Sequence, residues 1–148
     1  MENLTEDQKM VIRHDLVEAS RKLIGVPYYF GAEWTTLDLI PESLDCSELV
    51  EGVFNLLKLK MPDGSQSQFD FTVQTANPKI GDLGFFGRSA KPNQIYHVGM
   101  IFDDFYMIEA RGKQPEADFE TGKVILRPRA KWAAYSNFAG FRSHPKLL

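Results

Sequence analysis

Apolar residues recur at helical spacing in two segments of the N-terminal half. A first helix is predicted from Thr5, which forms a capping-box pattern with Gln8, up to the helix breakers Gly25 and Pro27. In the second segment the positions i, i+3, i+4, i+7, i+8 and i+11 are Cys46, Leu49, Val50, Val53, Phe54 and Leu57. This spacing predicts a helix that begins at Cys46 and turns one face, Cys46 included, toward the core.

After residue 80 the pattern changes to alternation rich in β-branched and aromatic residues, which is typical of strands. The segments that show it are 83–86, 95–102, 105–110, 123–127 and 138–142. Residues 61–79 are polar and contain Pro and Gly breakers, so we interpret them as an exposed loop with a short helical turn. The order of elements predicts an α+β fold in which the helices pack on an antiparallel sheet.

Composition favours one compact domain spanning residues 1–148, because the chain is 43% hydrophobic and 25% charged. No apolar stretch approaches the roughly 20 residues that a membrane-spanning helix needs. The net charge is −3, and we expect no nucleic-acid partner. Arg127, Arg129 and Lys131 cluster near the C-terminus and predict a solvated face, or a patch that attracts an anionic substrate.

Cys46 is the only cysteine, so no intrachain disulfide can form, and its place at a helix start suggests a nucleophile. Backbone N–H groups and the macrodipole at a helix N-terminus favour a thiolate. Asp45 fits the N-cap, and Glu48 fits a capping box that reaches back to Asp45. These carboxylates oppose the thiolate, so activation requires a nearby cationic histidine. The alternative is a small buried cysteine that only begins a helix.

His97 lies near the start of the predicted strand 95–102, about fifty residues after Cys46. That order suits a Cys–His pair in which the imidazole takes the thiol proton, and the alternative is a coincidence of two core residues. His14 lies within the first predicted helix and His144 beside Pro145, so we expect solvated or capping roles for both. Ser65 and Ser67 are interpreted as loop residues.

The sequence offers no motif for a metal or a cofactor. It contains no His-Glu-x-x-His and no paired cysteines, and its three histidines are scattered. No glycine-rich phosphate loop follows a strand, since Gly81, Gly84 and Gly87 flank aromatic residues inside a strand pattern. We therefore expect chemistry that needs neither a metal ion nor a cofactor.

Several of these segments, taken in order, resemble the NlpC-type cell-wall cysteine peptidases of the papain-like superfamily. The matching segments are Gly25-Val26-Pro27-Tyr28-Tyr29-Phe30-Gly31, Asp45-Cys46-Ser47-Glu48-Leu49, Met61-Pro62 through Gln68, Gly81-Asp82-Leu83-Gly84-Phe85-Phe86, His97-Val98-Gly99, Met107-Ile108-Glu109-Ala110 and Gly140-Phe141-Arg142. The resemblance covers roughly residues 16–142 and implies a papain-like fold. It also implies that Glu109 takes the place of the family's third polar residue.

The resemblance implies hydrolysis of an amide bond in peptidoglycan stem peptides, between γ-D-glutamate and a diamino acid. Cys46 would be the nucleophile, His97 the general base, and Glu109 the group that orients His97. The Cys46 backbone N–H and the Tyr28 hydroxyl would hold the oxyanion, while Asp45 and Ser47 would contact the substrate. For Tyr28 the alternative is a core aromatic role after a proline.

The chain departs from the family pattern in ways that keep other functions open. Glu48 and Ala32 each replace a glycine, and the segment from Gly31 to Asp45 is about six residues longer than expected. This apolar insertion contains Trp34, Leu37, Leu39, Ile40 and Pro41. It either lines the cleft or packs its own side chains on the surface. The alternatives are a papain-like amidase, deamidase or transacylase acting on a protein, and a non-catalytic structural module of a phage or secretion machine.

The first eight residues are polar and acidic, without the basic region and apolar core of a secretory signal. We therefore expect a soluble protein made in the cytoplasm. If the substrate is the cell wall, we expect the protein to be exported by a non-classical route, delivered by a phage or secretion machine, released by lysis, or to act on cytosolic fragments.

Strand parity decides whether Glu109 can reach His97. Side chains alternate along a strand, so the two share a sheet face only if the connecting loop has an odd number of residues. A two-residue turn at Asp103-Asp104 would place them on opposite faces. Asp103-Asp104 invites such a two-residue turn, but a catalytic role for Glu109 requires a three-residue loop, 102–104, which pairs Ile101 with Phe105, Gly99 with Met107 and His97 with Glu109.

Overall fold

The computed structural model of the protein describes residues 3–37, 39–88 and 91–148. In chain order the elements are α1 (Glu6–Arg21), α2 (Cys46–Leu56), α3 (Ser65–Phe71), β1 (Val73–Gln74), β2 (Leu83–Arg88), β3 (Lys91–Ile101), β4 (Tyr106–Arg111), β5 (Lys123–Pro128), α4 (Arg129–Ala134), β6 (Phe138–Ser143) and a 3-10 helix (Pro145–Leu147). The strands form one antiparallel sheet in the order β1-β6-β2-β3-β4-β5. The predicted α+β class is confirmed.

Helix α2 packs on the centre of the sheet, where it contacts β3 and β4. Its predicted apolar face is confirmed, because Leu49, Val50, Val53 and Phe54 are buried in the main core. Cys46 begins this helix and is partly exposed. The apolar spacing therefore fixes how the helix sits on the sheet and sets its N-terminus at the rim of the core.

Helix α1 begins at the predicted capping box, in which Thr5 and Gln8 bond each other reciprocally. It is anchored to the sheet by a buried ion pair, since Arg13 Nη1 lies 2.7 Å from Asp82 Oδ1 just before β2. None of the described helices is both long and apolar enough to cross a membrane.

Three short elements differ from the sequence prediction or were missed. The predicted loop with a short helical turn contains a seven-residue helix, so Ser65 and Ser67 are helical rather than loop residues. Both β1 and α4 lacked a sequence signal. Helix α4 spans only six residues and buries Trp132 alone. Elements of this length show too little periodicity to be detected, and tertiary contacts stabilise them.

The insertion after Gly31 packs on helix α2 through Trp34. The Trp34 backbone N–H donates to Glu48 Oε1 at 2.6 Å, and its indole N–H donates to the carbonyls of Thr36 and Leu39. The predicted capping box at Glu48 is therefore wrong, because this carboxylate binds the insertion instead of the Asp45 amide. Trp34 is buried and Leu37 packs against the core partly buried, whereas Leu39 and Ile40 remain exposed, so the insertion packs some of its apolar side chains and exposes others.

Gly52 is required by this packing, since a Cβ there would lie 2.0 Å from Trp34 Cε3. We expect Gly52→Ala to lower the free energy of unfolding by about 2 kcal/mol, because the overlap outweighs the gain in helix propensity. Urea denaturation measures the change. In a Trp34→Ala background the same substitution should be neutral or stabilising. An equal loss in both backgrounds would contradict the assigned contact.

Candidate active site

The N-terminus of α2 presents Cys46 between two hydrogen-bonded neighbours. Asp45 is the N-cap, and its Oδ1 accepts from the Glu48 N–H at 2.8 Å and from the Ser47 hydroxyl at 3.2 Å. Its Oδ2 accepts from the Gly31 N–H at 3.1 Å. Asp45 therefore satisfies the helix start and ties the glycine turn to it, which holds Cys46 in place.

His97 and Glu109 face each other on one side of the sheet, with Nε2 of His97 2.7 Å from Oε1 of Glu109. The odd-numbered loop expected from parity is confirmed, but its position is wrong. Ile101 pairs with Met107 and Met100 with Ile108, so the loop is residues 103–105. The predicted direct pairs Ile101–Phe105, Gly99–Met107 and His97–Glu109 are therefore displaced by two residues.

The Asp103 side chain explains the displaced register. Its Oδ1 accepts from the backbone N–H groups of Phe105 and Tyr106, both at 2.8 Å. Asp favours such turns because its carboxylate bonds the backbone two residues onward. The turn therefore begins at Asp103, and Phe102 stays on the strand side, where its N–H donates to the Tyr106 carbonyl at 2.9 Å.

Cys46 at the start of α2 acts on His97 of β3, because the cysteine side chain contributes to the raised pKa of the imidazole. Burial alone would lower the pKa of His97, but the hydrogen bonds and negative charges of Cys46 and Glu109 outweigh it and raise the pKa to about 9. The imidazole therefore stays protonated at neutral pH. Cys46, His97 and Glu109 form one continuous polar chain.

Glu109 is fully buried and bonded at both carboxylate oxygens. Oε1 accepts from His97 Nε2 and from Arg111 Nη1 at 2.9 Å, while Oε2 accepts from Trp132 Nε1 at 3.0 Å and contacts Arg127 Nη1 at 3.5 Å. Burial would raise the pKa of Glu109, but the His97 hydrogen bond and the charges of His97, Arg111 and Arg127 lower it to about 2. The carboxylate is therefore ionised at all physiological pH values.

Arg127 is buried beside this carboxylate. The prediction that it belongs to a solvated basic face is wrong, because strand β5 turns its side chain inward toward Glu109. Arg129 is only partly exposed, and its Nη1 donates to the Asp103 carbonyl at 3.2 Å, whereas Lys131 is exposed. The three basic residues therefore do not form one patch.

The other histidines lie apart from Cys46. His14 is exposed on α1. His144 caps the final 3-10 helix, as expected of a capping residue, but it is buried rather than solvated. Its ring stacks on Phe54 at 5.6 Å, and its Nε2 lies 2.8 Å from the Lys60 carbonyl oxygen.

A cavity of about 340 Å³ opens at Cys46. Its lining includes the predicted site residues Tyr28, Asp45, Cys46 and Ser47, together with Tyr96. Burial and the nearby negative charges of Cys46 and Asp45 raise the pKa of Tyr28, which therefore stays a neutral hydroxyl. The start of the insertion, Gly31 to Glu33, forms one wall, so the insertion both lines the cleft and packs against α2.

Acidic side chains accumulate at one end of this cleft. Glu33 and Asp63 line it, and in the adjoining hollow the carboxylate oxygens of Glu48, Glu51 and Asp63 lie within 4.8 Å of one another. Burial, together with the hydrogen bond and charge of Glu48, raises the pKa of Glu51 to about 8. Glu51 is therefore mainly protonated at neutral pH, and the other acidic side chains around it give this end of the cleft a negative potential that suits a cationic group.

Several residues of the site were not identified from the sequence as part of it. Gln68 Nε2 donates to the Ser47 carbonyl at 2.9 Å and to the Pro62 carbonyl at 3.0 Å, so α3 supports the nucleophile helix. Phe86 stacks on Trp132 at 4.5 Å and on His97 at 5.9 Å. Gln68 and Phe86 lie in motif segments, which was the available signal, whereas the indole of Trp132 comes from an undetected helix.

Part of this chain is similar in sequence to two known proteins. The chain is 34% identical to the gamma-DL-glutamyl hydrolase of Bacillus subtilis (strain 168) over 88 residues, which are 57% of this chain and 20% of that protein. It is 30% identical to the probable endopeptidase p60 of Listeria grayi over 98 residues, 65% of this chain and 17% of that protein. The chain spans about a fifth of the length of these curated relatives or less.

Solved structures share the fold at lower identity. An NlpC/P60 family protein from Bacillus cereus ATCC 10987 superposes with a TM-score of 0.72 at 21% identity, covering 97% of this chain and 41% of that one. The peptidoglycan hydrolase RipB from Mycobacterium tuberculosis gives 0.69 at 22% identity, covering 95% and 67%. The NlpC/P60 family matches residues 25–125, which include Cys46, His97 and Glu109. The chain therefore belongs to the NlpC/P60 family.

Proposed function

We propose that this protein is a cysteine-type hydrolase that cleaves an amide bond in peptidoglycan stem peptides. The observation that carries this proposal is that Glu109 bonds His97 at 2.7 Å, while Cys46, whose side chain acts on the same imidazole, lines the cleft. A nucleophile, a base bonded to it and a group that orients the base are the requirements of covalent amide hydrolysis.

In the proposed mechanism His97, whose pKa is raised to about 9, takes the proton of Cys46 and becomes an imidazolium. Because His97 Nε2 is held by Glu109, Nδ1 is the nitrogen that takes the thiol proton. The thiolate attacks the amide carbonyl carbon, and the C–N bond then breaks while His97 donates its proton to the leaving amine. Neutral His97 next accepts a proton from water, which attacks the thioester and releases the carboxylic acid and the Cys46 sulfur.

The oxyanion of each tetrahedral intermediate would be held at the start of α2. The first N–H groups of a helix have no carbonyl partner within it, so the Cys46 N–H can donate to the developing charge. The Tyr28 hydroxyl lines the same cavity, and its raised pKa keeps its proton available for donation. We assign the two groups to the oxyanion on this basis.

The acidic end of the cleft supports a substrate with a free amine. The Asp45 carboxylate is already bonded to three donors, so it contributes mainly its charge, while the exposed Glu33 and Asp63 add to that charge. A stem peptide that begins with an unblocked amine matches this potential. We propose cleavage between γ-D-glutamate and the diamino acid, with Ser47 as a further polar contact.

A muropeptide carrying a γ-D-glutamyl-diamino acid bond tests the substrate. We expect cleavage at that bond, whereas the matched peptide with an ordinary α-linkage stays intact, and mass spectrometry of the new amine measures both. Blocking the N-terminal amine of the stem should raise KM, because the acidic end then lacks its cationic partner. Equal cleavage of both linkages would favour a broader amidase acting on proteins, and cleavage of neither would contradict the substrate assignment.

A further inference from the structure

We infer that Trp132 is a positioning residue for the proposed reaction, and that its indole N–H fixes the Glu109 carboxylate in the orientation that binds His97. The expected effect of Trp132 on turnover rests on the proposed function. The expected effect of Trp132 on the titration of His97 rests on the structure alone. Nothing in the family match assigns a role to this tryptophan, which comes from the short helix α4.

The two oxygens of Glu109 are held by different donors. Oε1 faces His97 and Arg111, whereas Oε2 faces the Trp132 indole at 3.0 Å and Arg127 at 3.5 Å. The terminal torsion of a glutamate is broad, so a carboxylate held at one oxygen can rotate. Trp132 supplies the shorter contact to Oε2 and therefore restrains this rotation.

The neutrality of the indole has a consequence for His97. Arg111 and Arg127 also bind Glu109, but each positive charge so close to the imidazolium disfavours it. The indole N–H is a donor without an acceptor site or a charge. It can therefore hold the carboxylate firmly while leaving the full negative charge of Glu109 to stabilise protonated His97.

The sheet is shaped to keep this indole in place. Trp132 is fully buried, and its ring lies over Gly84 and Gly99, where an added Cβ would approach the ring to 3.2 Å and 2.7 Å. Phe86 stacks on it at 4.5 Å. Because the ring cannot shift without disturbing two strands, its N–H keeps a fixed direction toward Glu109.

The role of the N–H is separated from the role of the ring by Trp132→Phe, which keeps an aromatic side chain. Its matched control is Trp34→Phe, which removes the other indole of the chain, bonded to the carbonyls of Thr36 and Leu39. We expect Trp132→Phe to lower kcat on the muropeptide about 10- to 100-fold with little change in KM. The Trp34→Phe variant should keep both constants.

A second readout does not depend on activity. Histidine side-chain NMR follows the titration of His97, assigned by the signal lost in His97→Ala. In the wild type we expect a midpoint near the pKa of about 9, and in Trp132→Phe a clearly lower midpoint, because the loosened carboxylate stabilises the imidazolium less. An unchanged midpoint together with an unchanged kcat would overturn the inference. If the wild type cleaves no muropeptide, the proposed function is contradicted, but the titration of His97 still tests whether Trp132 positions Glu109.

Should Trp132→Phe fail to fold, the wild-type protein supplies the decisive measurement. Its two indole N–H signals are distinguished by the one that is lost in Trp34→Phe. We expect the Trp132 signal to move as His97 titrates, because both groups bind Glu109, and the Trp34 signal to stay constant. If the chemical shift of the Trp132 indole N–H stayed constant while His97 titrates, the inference would be overturned.

Discussion

The Cys46→Ala variant should lose at least about 10⁴-fold of the wild-type turnover of the muropeptide, because no other side chain in the proposed mechanism can form the thioester. Cys46 is only partly buried at the start of α2, so its loss should change the free energy of unfolding by about 1 kcal/mol or less. Mass spectrometry of the released amine measures turnover, and thermal unfolding verifies the fold. Residual cleavage above this level would contradict covalent catalysis by Cys46.

The same cysteine reports on its own activation, because one cysteine gives one alkylation site per molecule. Near neutral pH, His97→Ala should slow the reaction of Cys46 with iodoacetamide at least about tenfold, since the thiolate loses its imidazolium partner. His14→Ala is the matched control, because that histidine is exposed on α1. Equal rates in the wild type and His97→Ala would contradict the proposed ion pair.

Local patterns were sufficient to predict the main parts of the site. The apolar spacing after Cys46 placed it at the beginning of a core helix, and alternation in β3 and β4 put His97 and Glu109 on strands. The odd loop length that a catalytic Glu109 requires then correctly placed both side chains on one sheet face. Each of these predictions depends on residues that are close in sequence. Over such short distances, the periodicity of a helix or a strand decides which side chains share a face.

The exact register required information that the pattern does not contain. Both loop positions, 102–104 and 103–105, preserve parity, and the Asp103 carboxylate decides between them by bonding two backbone N–H groups. The hydrogen-bond partner of Glu48 was also not contained in the pattern. Its spacing suits a capping box, but the insertion places the Trp34 backbone nitrogen 2.6 Å from Glu48 Oε1, and the carboxylate accepts from that N–H instead.

The surroundings of Glu109 could not be predicted, because they come from distant parts of the chain. Arg127 and Trp132 follow Glu109 by 18 and 23 residues, and a helix of six residues carries the indole. In sequence, Arg127 looked like one member of an exposed basic group. The pairing of β5 with β4 is what brings Arg127 next to the buried carboxylate of Glu109, and the sequence pattern does not reveal this pairing.

Replacing Glu109 with Gln should have the second largest effect. Glutamine has one oxygen and one NH₂ group where Glu109 has two oxygens, so its NH₂ must face either the His97 side or the Trp132 and Arg127 side, where donors already lie. We expect kcat to fall about 10²- to 10⁴-fold, since His97 loses the charge that orients and stabilises its imidazolium. The pKa of His97, raised to about 9 in the wild type, should fall.

The same substitution should lower the free energy of unfolding by about 3 kcal/mol, because Arg111 and Arg127 lose their buried partner. The loss depends on pH in a defined way. The pKa of Glu109 is lowered from 4.5 to about 2, so its contribution is full above pH 4.5 and disappears as pH falls through 2. The pKa of His97 is raised from 6.5 to about 9, so its share is full below pH 6.5 and disappears as pH rises through 9.

The stability difference between wild type and Glu109→Gln should therefore be largest between pH 4.5 and 6.5, and urea denaturation across the pH range measures it. Asp82→Asn is the matched control, because it also breaks a buried carboxylate–arginine pair, with Arg13, far along the sheet from His97. It should be destabilised to a similar degree yet keep the wild-type kcat where it is folded. If Asp82→Asn lost as much kcat as Glu109→Gln, the effect of Glu109 would reflect general loosening of the fold rather than control of His97.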